Sequence, residues 1–279
     1  MKRLIPLTLL LGGMCCVVPG ADEIQPPLLP KSEVTLRLKL RTRVETFKGS
    51  GVWDEVTLLK QVPVAEVAII ICDMWDKHWC EGATERCDAL AARMAPVVKV
   101  ARAKGLQIIH APSETMNFYK DTPQRRRLAL APMAELPVPL EISEPPLPID
   151  DSDGGCDSGQ KPWYKAWTRE NAKIDIGEFD GISDNGQEVY RFLRQRGIKY
   201  LIVMGVHTNM CVLNRSFAIR QMTRWGIHCL LARDLTDTMY NPAMRPFVSH
   251  DRGTELVIEH IEKYWCPSLL SSDLVAGLP

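Results

Sequence analysis

Residues 200–222 read YLIVMGVHTNMCVLNRSFAIRQM. An apolar run from Tyr200 to Met204 gives way, after Gly205, to a polar turn and then to a helical pattern. This is a strand handing the chain to a helix, and the hand-over recurs along the sequence. Val67-Ala-Ile-Ile-Ile-Cys72 is an unbroken apolar, largely β-branched run, as in a strand buried on both faces. A helical pattern follows from about Glu85 to Lys104, ends at Gly105, and leads into a strand over Leu106–His110. Gly186–Arg196 predicts a helix stopped by Gly197. After the helix that starts near Cys211, Gly226 precedes a strand at Ile227–Leu231, and a last helix runs from about Pro242 to Glu262. Alternating strands and helices, with glycine at helix ends, predict an α/β chain. The expected fold class is a three-layer α-β-α sandwich around a mostly parallel, doubly wound sheet.

Outside this core the pattern changes. Lys2 and Arg3 precede an apolar stretch, Leu4 to Val18, and then the small residues Gly20 and Ala21. That predicts a cleavable signal peptide over residues 1–21 and an exported mature protein, periplasmic or secreted. An uncleaved anchor is the alternative; a lipoprotein site at Cys15 or Cys16 is disfavoured by Met14. No later apolar run approaches the length of a membrane span, so no membrane partner is expected after cleavage. Residues 22–63 form a proline-rich linker and a strand extension. Val34, Leu36, Leu38 and Leu40 alternate there with Arg37, Lys39 and Arg41, the pattern of a half-exposed strand. The main domain occupies 64–279. It carries a long, proline-rich insertion at about 111–172, the kind of irregular segment that covers a site.

The 34 basic and 34 acidic residues balance, so no global charge selects nucleic acid as a partner. Nine cysteines, less Cys15 and Cys16 in the signal, leave seven, an odd number. At least one thiol then lies outside intramolecular disulfides in an exported protein, and Cys80 and Cys87 lie close enough in sequence to pair. The acids Asp151, Asp153 and Asp157 form a candidate calcium loop, though without the spacing of an EF-hand.

In an open parallel sheet, ligands bind beyond the carboxyl ends of the strands. Asp73, His110 and the turn His207–Cys211 all fall there. A nucleophilic thiolate needs a base to take its proton and a cation to hold its charge. Asp73 is the candidate base, Cys211 the candidate nucleophile, and the start of a helix at Cys211 would favour the thiolate.

Ile70-Ile-Cys-Asp73 together with Gly205-Val-His-Thr-Asn-Met-Cys211 resembles the isochorismatase-like cysteine hydrolases, which include nicotinamidases and carbamoylsarcosine amidases. The resemblance covers about residues 64–273. It implies an Asp-Lys-Cys triad and cleavage of a carbon–nitrogen bond of a small molecule through a thioester, with no cofactor. Lys173-Ile-Asp-Ile-Gly177-Glu-Phe179 matches the family's lysine motif, which makes Lys173 the third member, with Lys165 as the alternative and Lys161 also near. The resemblance further implies a cis peptide at Val206–His207, aiming the amides of His207 and Cys211 at one point as an oxyanion hole. Candidate substrate contacts are Trp75, His78, His110, Thr208, Asn209 and Phe179. Trp75 and Trp79 either stack on a planar or sugar-like substrate or pack in the core, and Thr208 and Asn209 either touch substrate or shape the turn. The family's metal ligands are missing from His110-Ala-Pro-Ser-Glu114, so no metal is expected, although His78, His110 and Glu114 are available for a different site. A homo-oligomer is compatible with the sequence. Two other readings stand beside the enzyme: a binding or scaffold protein on the same fold, and a thiol-redox protein using Cys211 with Cys229 as its resolving partner.

Overall fold

The computed structural model describes residues 25–31, 33–161 and 163–278, so the expected signal peptide lies outside the described residues. No helix among the described residues is long and apolar enough to cross a membrane.

The sheet is built from the inside out. The central strand β3 (Val67–Cys72) is buried at every position because helices cover both faces. It pairs in parallel with β4 (Gln107–Ala111) on one side and β6 (Tyr200–Val206) on the other. β4 continues to the short β5 (Gly181–Ile182), and β6 to β7 (His228–Asp237) and then β8 (Ser268–Leu269), all parallel. The period-two alternation of β3 sorts its side chains into two cores. Val67, Ile69 and Ile71 face Leu90, Met94 and Val98 of α1 (Glu81–Ala103). Ala68, Ile70 and Cys72 face the other layer. That layer comprises α4 (Gly186–Arg196), α6 (Ile219–Arg224) and α7 (His250–Tyr264). The expected three-layer sandwich is the fold.

The N-terminal extension is a hairpin, β1 (Thr35–Glu45) with β2 (Trp53–Pro63), and β1 joins the same sheet antiparallel to β8. Leu36, Leu38 and Leu40 point inward as the alternation predicts, while Val34 is exposed. Arg41 and Arg43 are not merely solvated: both pair with Glu262, whose side chain is fully buried. In the insertion, two short helices interrupt the irregular chain, α2 (Met116–Tyr119) and α3 (Pro123–Ala129). Thr122 caps α3 by accepting from Arg125 N, with Pro123 at the first helical position.

Two elements differ from expectation. The helix after Cys211 is broken into α5 (Cys211–Asn214) and α6, because Arg215 is extended and the chain at Ser216 packs against the start of α4. Gly186 N donates to Ser216 Oγ, and a Cβ on Gly186 would lie 2.1 Å from Ser216 O. The helix expected from Pro242 starts at His250, and it is not the last: a further helix, α8 (Ser271–Gly277), follows β8. A cis Arg245–Pro246 bond precedes His250, and Ser249 supplies the cap.

Candidate active site

Asp73 follows β3 directly and adopts φ 49°, a left-handed conformation that costs a non-glycine residue about 1 kcal/mol. The turn is held by its N–H, which donates to Ala111 O at 3.1 Å. It brings a fully buried carboxylate to the carboxyl edge of the sheet. Oδ1 accepts from Ser113 N at 2.7 Å, and Oδ2 accepts from Arg215 Nε at 2.9 Å. The Cys211 thiol lies beside the same carboxylate and feels its charge. Cys211 begins α5, which puts Arg215 one turn later on the same side. Arg215 also approaches Glu114 at 3.8 Å. Asp73, Cys211 and Arg215 thus form one connected group.

The electrostatics of this group differ from the expected standing thiolate. Burial raises the Cys211 thiol far above its ordinary value, and the charge of Asp73 raises it further; Arg215 and the His207 backbone oppose this without reversing it. Burial raises Asp73 too, against Arg215 and Ser113. Arg215 is held even more firmly cationic than a free arginine, because Asp73 and Cys211 outweigh its burial. A four-residue helix offers little dipole to change this balance. Cys211 therefore rests as a neutral thiol beside Asp73, and the two groups titrate as a coupled pair.

The Val206–His207 peptide is cis. His207 is buried, its Nε2 has no hydrogen-bond partner among the described residues, and burial lowers its pKa to about 4, so the ring is neutral. The group opens into a cavity of about 550 Å³, with Cys211 and Arg215 in its floor. Its walls are aromatic. Trp75 stacks on Trp167 with centroids 4.2 Å apart, and His78 lies against Trp167, Trp79 and His207. His78 is neutral as well, lowered to about 3 by burial. Trp75 and Trp79 are buried, and they also line the cavity.

Other candidates lie elsewhere. Lys173 forms an ion pair with Asp88 on the outside of α1, its side chain 45% exposed, because residues 171–174 run along that helix. Lys165 donates to the Glu114 carbonyl at the rim, and Lys161 lines the cavity. The cation beside Asp73 is Arg215, which the lysine motif did not indicate; its i+4 relation to Cys211 was the available signal. Phe179 is half-buried, with its carbonyl accepting from Gln107 at the start of β4, away from Asp73. Thr208 and Asn209 shape the turn. Thr208 bonds Thr236, while Asn209 donates to Asp151 and to Met239 O and accepts from Met239 N. Cys229 is buried with its pKa pushed up to about 12 by burial, and it does not line the cavity. Asp151, Asp153 and Asp157 each take protein donors, namely Asn209, Asn241 and Arg86. Among the described residues no group of three or more His, Cys, Asp or Glu is placed to hold a metal ion.

His110 is fully buried between Glu170 at 2.7 Å and Asp180 at 3.0 Å, outside the cavity. Burial alone would lower its pKa, but the two carboxylates outweigh it and bring it to about 9. A folded-state pKa raised above the unfolded value contributes stability that is complete below about pH 6.5 and is lost as pH rises through 9. Urea midpoints are therefore expected to fall between pH 6.5 and 9 in the wild type and to be flatter over that range in His110→Asn. Equal slopes in the two proteins would show that the buried imidazole is not charged.

No protein-family model matches the chain, and no curated protein matches it in sequence. Solved structures do. A cysteine hydrolase from Pseudomonas syringae pv. phaseolicola 1448A is similar at 16% identity and TM-score 0.49, over 78% of this chain and 94% of that one. An isochorismatase from Pseudomonas putida KT2440 is similar at 15% identity and TM-score 0.47, over 76% and 92%. An isochorismatase-family protein from Burkholderia thailandensis is similar at 16% identity and TM-score 0.45, over 77% and 96%.

Proposed function

We propose that this chain is an isochorismatase-like cysteine hydrolase that cleaves a carbon–nitrogen bond of a small amide. The observation that carries this reading is the buried Asp73 carboxylate, held by Ser113 N and Arg215 Nε beside the Cys211 thiol, with Cys211 and Arg215 lining an aromatic cavity. Asp73 takes the proton from Cys211 as the sulfur attacks the substrate carbonyl. Proton transfer during attack suits a thiol whose resting pKa is high. The negative charge developing on the carbonyl oxygen is met by the backbone amides of His207 and Cys211. Asp73 returns the proton to the departing nitrogen, and the acyl group remains on Cys211 as a thioester. Water, deprotonated by Asp73, then attacks the thioester and releases the acid, and Asp73 passes that proton to the departing Cys211 sulfur. Arg215 keeps the net charge of the buried group near constant throughout.

The stacked pair Trp75 and Trp167 favours a planar substrate. Export after removal of residues 1–21 belongs to the same proposal. The test is ammonia release from a panel of primary amides of planar acids, with mass analysis of the quenched enzyme. A hydroxylamine-sensitive acyl adduct on Cys211, with all release lost in Cys211→Ala, is expected. Release that survives Cys211→Ala would overturn the mechanism.

A further inference from the structure

Two thiols outside the proposed catalytic group lie side by side. Cys80 precedes the first turn of α1, and Cys156 belongs to the insertion. Both are buried and both are free in this structure. Both reach the same hydroxyl, which brings the two sulfurs together: Ser158 Oγ is 3.2 Å from Cys80 Sγ and 3.7 Å from Cys156 Sγ. Cys87, the neighbour of Cys80 in sequence, points away; its sulfur donates to Trp75 O.

The surroundings hold the two segments in register. Asp157 makes a two-pronged ion pair with Arg86 of α1, and Gly82 N donates to Ser158 Oγ. Gly155 has φ 73°, and a Cβ there would lie 2.3 Å from Met239 O, so the chain before Cys156 is fixed against the end of the sheet. The same segment forms one wall of the cavity through Asp153 and Gly154, with Gly154 against Trp79.

We propose that Cys80 and Cys156 form a reversible disulfide that ties the insertion to α1 beside the cavity. The oxidant is a small-molecule disulfide. Cys156, the more exposed of the two, attacks one sulfur of the oxidant as a thiolate and releases a thiolate leaving group, giving a mixed disulfide. Cys80 then loses its proton and attacks the Cys156 sulfur, releasing the second thiolate. Two protons leave the protein and two electrons pass to the oxidant. The roles fit the local chemistry. Burial opposes ionisation of Cys156, but the Cys80 thiol and donors of Ser158 and Gln160 hold it below the ordinary thiol value, whereas burial holds Cys80 above it.

The experiment needs no substrate, so it stands apart from the hydrolase reading. The full chain is equilibrated with glutathione disulfide and glutathione at graded ratios, quenched by alkylation and mapped by peptide mass. The expected result is a Cys80–Cys156 cross-linked peptide that appears as the ratio rises and disappears with reductant. Cys87→Ser leaves it intact, and Cys80→Ser stops at a glutathione adduct on Cys156. Proteolytic cleavage within residues 150–160 is expected to slow by about fivefold or more in the oxidised protein. Alkylation of both cysteines at every ratio, a cross-link to another cysteine, a persistent glutathione adduct in the wild type, or an unchanged cleavage rate would overturn the proposal.

Discussion

Asp73→Asn is expected to move two properties of Cys211 in opposite directions. Amide turnover falls, by on the order of 10³ in kcat/KM, because no group remains to accept the thiol proton and return it to the leaving nitrogen. Alkylation by iodoacetamide at pH 7 becomes faster. Burial and then the charge of Asp73 raise the Cys211 pKa, while Arg215 lowers it. Removing the carboxylate leaves the sulfur beside an uncompensated guanidinium, and the thiolate fraction grows. The wild-type pH profile follows from the same pair. Turnover requires Asp73 as a carboxylate, so it rises with pH through a pKa above the ordinary value of 3.8. The remaining proton is held far above the ordinary thiol range, so no alkaline limb appears near pH 8.5. Turnover and alkylation falling together in a folded Asp73→Asn protein would assign Asp73 to positioning alone.

What the sequence disclosed here, and what it concealed, divides along physical lines. β3 was legible because a strand covered on both faces must be apolar throughout, and Val67–Cys72 is. The helix Gly186–Arg196 was legible to the residue because Asn185 caps it and Gly197 takes the left-handed conformation that ends it. The placement of Asp73 and Cys211 at one edge followed, since parallel strands deliver their next residues there. The break between α5 and α6 was hidden, because it comes from contact with Gly186, a long-range event with no local pattern. The start of α7 was hidden behind the turn containing Pro246. Trp167, which builds a wall of the cavity, lies in an insertion without periodicity, and only its stacking on Trp75 reveals its place. The lysine motif at Lys173 was a matter of spacing alone; burial and charge put that residue on the surface with Asp88.

Arg215→Ala is expected to lower kcat/KM by about 10²–10³, because the buried Asp73 carboxylate loses the partner that offsets its desolvation. Both pKa values of the pair then rise, since Arg215 lowers each of them. The acid limb of the pH profile moves to higher pH, and alkylation of Cys211 slows, the reverse of the Asp73→Asn response. Arg215→Lys keeps the charge but loses the planar fork that reaches Asp73 with Nε while another nitrogen faces Glu114. It should restore the position of the acid limb more fully than the rate. Lys173→Ala should stay within about twofold of wild type, because an exposed ion pair contributes little. Should Lys173→Ala abolish turnover while Arg215→Ala leaves it intact, the segment carrying Lys173 must leave Asp88 to reach the thiolate, and Arg215 would be reduced to neutralising Asp73. A shift of the acid limb in Arg215→Ala without one in Lys173→Ala separates these cases, because only a cation in contact with Asp73 sets the pH at which its carboxylate becomes a base.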